Sequence, residues 1–263
     1  MNKEPRRNFV KKTAVLSTAT LATTLPVDAF ANVTENKKLK ISLVGCGGRG
    51  SGAIVQAMEA DDNVEIISMA DVFSDRIEKS LKGIREHFGN KKKINLKEKN
   101  IFVGFDSYKK AIDLCDVVIL ATPPGFRPLH FEYAIDNGKH VFMEKPLATD
   151  ATGVRRVLKS AQKAKEQRLN VVVGLQRHYQ NKYLDLYEKV KSGAIGKIVS
   201  GQVYWNDGGV WTNNRKANQT ELEYQMRNWY YFNWICGDHI LEQHIHNIDC
   251  LLYTSPSPRD GLL

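Results

Sequence analysis

The sequence lacks the paired cysteine spacing that is typical of disulfide-bonded or zinc-binding folds. Its cysteines are few and widely separated, so they exclude a disulfide framework and a zinc ribbon; they are Cys46, Cys115, Cys236 and Cys250. No long apolar run follows residue 31, so no membrane span is predicted there. The lysine run at 91–93 lacks interleaved aromatic residues, which favours a solvated loop over a nucleic-acid surface.

The first 31 residues have the composition of an export signal. Arg6 and Arg7 precede Phe9 and further lysines, a Thr- and Ala-rich apolar run covers 13–27, and 29–31 read Ala-Phe-Ala. The pattern predicts a twin-arginine signal peptide over 1–31, a linker over 32–37 and a periplasmic or otherwise exported protein, with no membrane attachment after cleavage. An ordinary secretory signal or an anchor is the alternative. Twin-arginine export carries folded proteins, so a cofactor bound in the cytoplasm would travel with the chain.

A glycine-rich loop stands between a predicted strand and a predicted helix. Gly45, Gly47 and Gly50 have G-x-G-x-x-G spacing, and the next strand, VEIISMAD, ends on Asp71. This order is a dinucleotide-binding fingerprint: the glycines allow a tight turn and a close phosphate, and the acid accepts hydrogen bonds from the ribose. We expect NAD, with NADP as the alternative cofactor. A glycine-rich turn in another α/β protein remains the other interpretation.

Predicted strands and helices alternate from residue 38 to 150. This alternation predicts an α/β fold with a doubly wound parallel sheet, whose ligands lie at the carboxyl ends of the strands. The residues expected to bind the cofactor at that edge are Gly45, Gly47, Gly48, Arg49, Gly50, Asp71, Thr122, Pro123, Glu144 and Lys145.

Two motifs then carry a family resemblance. ATPPGFRPLH at 121–130 and GKHVFMEKPLA at 138–148, after such a glycine loop, resemble the Gfo/Idh/MocA family of nicotinamide-dependent oxidoreductases. The resemblance implies a Rossmann domain over 38–150. It also implies a C-terminal α/β domain with an open, largely antiparallel sheet, here incomplete, over 151–249. By position, Lys145 would contact nicotinamide and substrate, and Pro146 would follow a cis peptide bond.

The segment GDHILEQHIHNID contains the family's later signature. Glu242 lies four residues before His246, and Asp249 lies three after it, although the family more often has aspartate at the first position. The resemblance implies that His246 is the catalytic base, oriented by Glu242. If the segment is α-helical, His239, Glu242 and His246 share one face, which leaves a metal site and a structural packing role as alternatives; we predict no metal.

The segments around this signature offer further contacts. Gln176, Arg177, His178 and Asp249 are candidate substrate-binding residues, although the first three equally suit a surface strand end after Val171–Val173, which we expect to open the second domain. The stretch 204–234 holds all four tryptophans. Aromatic residues at this density favour a core or a subunit interface over stacking on a sugar.

The last residues have a different character. Residues 250–263 resemble the translation of a sequencing-library adapter, and we expect them to be a non-native tail after an incomplete second domain. The sequence thus predicts an exported NAD(P)-dependent oxidoreductase acting on a sugar or polyol, with its cofactor tightly bound and a homo-oligomeric state at full length. An NAD-dependent glycosidase and a non-catalytic carbohydrate-binding protein are the alternatives.

Overall fold

The computed structural model describes residues 38–89 and 94–254. The predicted signal peptide (1–31), the linker (32–37), the lysine run at 91–93 and most of the predicted tail (255–263) lie outside the described residues. None of the described helices is both long and apolar enough to cross a bilayer.

Six parallel strands form one sheet. Their order is β3-β2-β1-β4-β5-β6, the arrangement of a dinucleotide-binding Rossmann sheet, which confirms the predicted fold class for this part of the chain. The strands are β1 (Leu39–Val44), β2 (Val64–Asp71), β3 (Ile101–Val103), β4 (Val117–Leu120), β5 (His140–Met143) and β6 (Val171–Val173).

Helices connect the strands and continue after the sheet. Those of the sheet region are α1 (Gly48–Ala60), α2 (Ser74–Phe88), α3 (Ser107–Asp113), α4 (Arg127–Asp136) and α5 (Ala151–Glu166). The later ones are α6 (Asn181–Lys191), α7 (Glu221–Arg227), α8 (Asn233–Cys236), a π-helical turn (Ile240–His244) and α9 (Ile245–Thr254).

The sheet is buried on both faces. Alternate residues of a strand point to opposite sides, so Leu43 and Ile119 pack with α1 and α2, whereas Val118 and Leu120 pack with α3, α4 and α5. Strands covered on both sides are apolar throughout, and that explains the continuous run at β4. The core therefore fixes the carboxyl ends of all six strands along one edge.

The last strand corrects one expectation. Val171–Val173 does not open a second domain: it pairs in parallel with β5, with Val141 opposite Val171 and Met143 opposite Val173. The intervening α5 packs on α4 and brings the chain back beside β5, as a parallel crossover requires.

No second sheet is present in the described part of the chain after Val173. The expected open antiparallel sheet has no strand there, and 197–216 runs without regular secondary structure. A strand exists only through pairing with another strand, and in this stretch Val199 is 89% exposed. The α7–α9 region instead packs over the edge of the Rossmann sheet through short helices.

A buried arginine ties the strand ends together. Arg127, the first residue of α4, is 1% exposed. Its Nη1 donates to the carbonyl of Glu144 at 2.5 Å and to that of Pro146, while Nη2 donates to the carbonyl of Thr122. Burial lowers the pKa of Arg127 to about 10, against the opposing influence of the Glu242 and Glu144 carboxylates, so the guanidinium is still charged at neutral pH. The loops after β4 and β5 are thus held by one side chain.

Replacing Arg127 with methionine is expected to lower the free energy of unfolding by about 3–5 kcal/mol, because buried carbonyls and carboxylates lose their cationic partner. Denaturant unfolding monitored by circular dichroism measures this. Arg156→Met is the matched control: Arg156 bonds Glu132 on a half-exposed surface, and its loss should cost less than about 1 kcal/mol. Similar losses in the two variants would contradict a structural role for Arg127.

Candidate functional site

A cavity of about 1090 Å³ opens at the carboxyl edge of the sheet. Such a volume suits a large organic ligand. Its walls come from the loops after β1, β2, β4, β5 and β6 and from the chain around α7 and α9. All ten residues predicted to bind the cofactor line it, as do the predicted catalytic residues Glu242 and His246.

The loop after β1 has room only for glycine at two positions. Gly45 has φ +94°, and a Cβ there would lie 2.6 Å from backbone atoms of Ala121 and Thr122. A Cβ on Gly50 would lie 2.0 Å from the carbonyl oxygen of Gly45. A side chain at Gly50 would push α1 away from the loop after β1, and one at Gly45 would collide with the backbone after β4 and disfavour the tight turn.

The start of α1 is built to face an anion. Gly47 precedes the helix without a side-chain cap, its Cβ direction is open for 4 Å, and no acidic residue lies in the first turn. The free N–H groups and the helix dipole therefore favour a negatively charged group at this point. These features fit the pyrophosphate of a dinucleotide.

Asp71 has a second role that the sequence does not reveal. Its Oδ2 accepts a hydrogen bond from the backbone N–H of Cys46 at 2.7 Å, and its Oδ1 accepts from that of Phe73 at 2.9 Å. Burial raises the pKa of Asp71, against these bonds and the nearby Arg76. The carboxylate thus holds the glycine loop against β2 while facing the cavity, which Arg76 also lines.

An ion pair joins two of the loops that line the cavity. Arg49 Nε donates to Glu144 Oε1 at 2.6 Å, linking the glycine loop to the end of β5. Glu144 is 10% exposed at its side chain, and a Cβ on Gly174 would lie 2.8 Å from its carboxylate. Arg49 itself is half exposed, so its cationic side chain is available to a phosphate.

Lys145 is aimed at the later signature segment. The Lys145–Pro146 peptide is cis, which confirms that expectation. Lys145 Nζ donates to the carbonyl of Glu242 and lies 3.1 Å from Glu242 Oε2. The carboxylate of Glu242 is thus bonded to Lys145, and no hydrogen bond between Glu242 and His246 is found in the described part of the chain, so the orientation of His246 by Glu242 stays a prediction.

The helix type of the signature segment differs from the α-helix expected for it. The segment Ile240–His244 is a π-helical turn, which places more residues in each turn than an α-helix does. Glu242 and His246 both line the cavity, but His239 does not join them: it is exposed and lies against His244. Within 38–89 and 94–254, no group of three or more potential ligands could hold a metal ion.

His246 lies in the cavity wall as a neutral imidazole. Burial, with the charges of Lys145 and Arg177, lowers its pKa to about 4, and Asp249 opposes this change. At neutral pH its ring can therefore accept a proton. The structure brings this base into the same cavity as the cationic Lys145.

Three of the four predicted substrate contacts serve the scaffold. Arg177 Nη1 donates to the carbonyl of His246 at 2.9 Å, and His178 Nε2 lies 2.7 Å from Asp249 Oδ2. These bonds fix α9 to the turn after β6, so the three side chains are engaged away from the cavity lining. Gln176 alone of the four lines the cavity.

Sequence reasoning missed several lining residues. His130 is buried, its Nδ1 lies 3.2 Å from Thr122 Oγ1, and burial followed by the charge of Arg127 lowers its pKa to about 3. His130 and Arg127 lie in the ATPPGFRPLH motif. An arginine and a histidine within an otherwise mostly apolar segment were the sequence feature that could have pointed to a buried role for both. Trp211, Trp229 and Tyr230 also line the cavity, which the aromatic run alone did not indicate.

Comparisons with known proteins agree with this geometry. Residues 39–174 match the Gfo/Idh/MocA family, which is described as an oxidoreductase family with an NAD-binding Rossmann fold. The chain is 29% identical over 168 residues to an inositol 2-dehydrogenase of Salmonella paratyphi B, a match covering 63% of this chain and 46% of that protein. A 73-residue match to an inositol 2-dehydrogenase of Gluconacetobacter diazotrophicus is 44% identical and covers 27% and 21% of the two chains.

Solved structures share the fold. The myo-inositol 2-dehydrogenase of Lactobacillus plantarum aligns with a TM-score of 0.59 at 21% identity, covering 83% of this chain and 57% of that one. The WlbA dehydrogenase of Chromobacterium violaceum, in complex with NADH and UDP-GlcNAcA, aligns with a TM-score of 0.58 at 23% identity, covering 86% and 57%. The chain spans about half the length of the relatives it matches.

The family match covers more than half of the chain, and its residues include the whole glycine loop and the Lys145 loop. NAD is the cofactor that this domain binds, and the open start of α1 and the position of Asp71 fit it. The chain therefore belongs to the Gfo/Idh/MocA family of oxidoreductases, with an NAD-binding Rossmann domain.

Proposed function

We propose that the protein oxidises a hydroxyl-bearing carbon of a sugar or polyol, with NAD as the electron acceptor, and catalyses the reverse reaction as well. The observation that carries this proposal is the meeting of Lys145 and a neutral His246 in the cavity that the glycine loop lines. The matching inositol dehydrogenases support the substrate class. They lend no support to the glycosidase alternative.

The residues divide the chemistry between them. His246 accepts the proton of the reacting hydroxyl at an imidazole nitrogen, because its lowered pKa keeps the ring neutral. The Lys145 ammonium orients that hydroxyl and stabilises the negative charge that develops on its oxygen. Glu242 holds Lys145 in place through its carboxylate. NAD, when bound, would supply the nicotinamide ring as the acceptor of the hydride, that is, of the carbon-bound hydrogen with both electrons of its C–H bond.

We further propose that the protein is exported with its cofactor bound, and that it forms homo-oligomers at full length. The signal-like pattern at 1–31 supports export. Arg227 supports retention of the cofactor. It makes two hydrogen bonds of 3.1 Å to Asp75 in the first turn of α2 and lies 4.0 Å over the ring of Phe73, a residue of the loop after β2 that lines the cavity, so α7 is fastened to this segment.

His246→Ala is expected to lower kcat by about two to four orders of magnitude, the range for loss of a general base. The wild-type kcat/KM should fall as pH drops through about 4, because protonated His246 cannot accept the hydroxyl proton. Steady-state kinetics of NAD reduction by a panel of sugars and polyols measures both. His244→Ala, on the same segment but outside the cavity lining, is the control. A near-normal kcat for His246→Ala would assign the base elsewhere, and NAD binding without reduction by any of the panel would favour a binding protein.

NAD is expected to bind more tightly than NADP, because the Asp71 carboxylate accepts from a ribose 2′-hydroxyl and repels a 2′-phosphate. Asp71→Asn should reduce this preference about tenfold, since the charge is lost while an oxygen acceptor remains. Isothermal titration with both nucleotides gives the ratio. Asp106→Asn, at an exposed carboxylate paired with Lys109, should leave the ratio unchanged. Equal affinities in the wild-type protein would refute this role for Asp71.

Arg227→Met is expected to speed NAD dissociation about five- to tenfold, because the fastening of α7 to Asp75 is lost. The rate is followed by fluorescence of bound NADH after dilution, together with the nucleotide that survives desalting. Arg215→Met is the matched control: Arg215 bonds Glu221 and lies over the Tyr224 ring without contacting the loop after β2. Equal dissociation rates in the three proteins would show that α7 does not retain the cofactor.

A further inference from the structure

Three aromatic rings form one wall of the cavity. The rings of Trp211, Trp229 and Tyr230 lie 5.4–5.8 Å from one another, centroid to centroid, and each residue lines the cavity. This arrangement differs from the core or interface role that the aromatic run suggested. The wall stands in the cavity that also contains Lys145 and His246.

Two buried polar atoms in this cavity lack a well-formed hydrogen bond. Glu242 Oε1 makes none with any described residue, and Tyr230 Oη has the Gln243 side chain beside it but no hydrogen bond of good geometry; both side chains line the cavity. The other oxygen of Glu242 is bonded to Lys145, so the vacant oxygen lies beside the proposed reaction centre. Buried polar atoms without partners are rare in folded proteins, which points to a ligand that supplies the missing bonds.

Tyr230 Oη and Glu242 Oε1 together indicate which functional groups the ligand carries. Glu242 Oε1 needs a donor, whereas a tyrosine hydroxyl can donate or accept, so hydroxyl groups satisfy both. An anionic group does not suit this place, because the Glu242 carboxylate repels it. Burial raises the pKa of Tyr230, the Gln243 side chain lowers it, and the Glu242 carboxylate raises it further. An aromatic face carries partial negative charge and attracts the C–H groups on the flat side of a saturated ring. A saturated ring with hydroxyls along its edge and C–H groups on its face supplies the hydroxyl groups, carries no negative charge and can stack on the aromatic rings.

We propose that Trp211, Trp229 and Tyr230, with Glu242 Oε1, form a subsite for the non-reacting hydroxyls of a pyranose or cyclitol ring. The ring stacks on the indole wall, and two of its hydroxyls bond Tyr230 Oη and Glu242 Oε1. This assignment rests on the proposed function in placing the reacting hydroxyl at Lys145 and His246. It concerns binding alone, however, and binding is tested apart from turnover.

The experiment is calorimetric titration of the full chain, saturated with NAD, with myo-inositol and methyl β-D-glucopyranoside as ring probes and glycerol as an acyclic probe. We expect at least one ring probe to bind more tightly than glycerol. Tyr230→Phe, which removes a single oxygen, should weaken that ring probe about five- to tenfold. Trp211→Leu should weaken it by a similar or larger factor, and neither change should alter glycerol binding.

A second Tyr→Phe variant tests whether the effect depends on where the lost hydroxyl lies. Tyr204→Phe removes a tyrosine hydroxyl that bonds Gln202 on an exposed surface, and it should leave all affinities unchanged. Unchanged NAD affinity and circular dichroism show that each variant is folded. Ring-probe affinities that are the same in Tyr230→Phe and wild type, or the absence of ring-probe binding to the wild-type protein, would overturn the subsite.

The outcomes separate the two proposals. Ring binding with the expected losses, but no reduction of NAD by any sugar or polyol, would remove the proposed oxidoreductase activity and leave the subsite standing. Reduction of NAD by a ring substrate with KM and kcat unaltered in Tyr230→Phe and Trp211→Leu would leave the activity standing and remove the subsite.

Discussion

The geometry of the cavity depends on a cation buried beneath it. Arg127 is enclosed completely, yet it makes its hydrogen bonds to backbone carbonyls rather than to carboxylates. The charge of Arg127 is stabilised both by the carbonyl dipoles and by the carboxylates of Glu242 and Glu144. Because those carbonyls belong to the loops that follow two neighbouring strands, the guanidinium fixes both loops relative to the sheet. The backbone on either side of Lys145, which reaches Glu242, is anchored in this way.

Charges within the cavity are matched in pairs. Arg49 faces Glu144, and Lys145 faces Glu242, so each of these two basic side chains has a carboxylate from another segment. His246 stands beside these pairs and remains neutral because burial and nearby cations disfavour its protonation. A base, a cation and an anion-binding helix start can therefore coexist in a confined volume without one neutralising another.

The Rossmann half was predictable because its signals are local. Glycine spacing, apolar strand runs and the acid at the end of β2 each follow from backbone geometry, and the structure places all of them at one edge. The predictions that failed concern features that depend on contacts between residues far apart in the sequence. Val171–Val173 has the composition of any buried strand, and only its pairing with β5 decides which sheet it joins. Arg127 was hidden because sequence alone does not show that a charged residue is enclosed.

The later signature was predictable only in part. α-Helical periodicity predicts one face for His239, Glu242 and His246, whereas the segment contains a π-helical turn at Ile240–His244 and only Glu242 and His246 line the cavity. One residue corresponds to about 100° of rotation in an α-helix. The extra residue of a π-helical turn therefore rotates every side chain that follows it relative to those before it. A single residue inserted or deleted in this turn would change which side chains of α9 face the cavity, even in a chain whose catalytic residues are all retained.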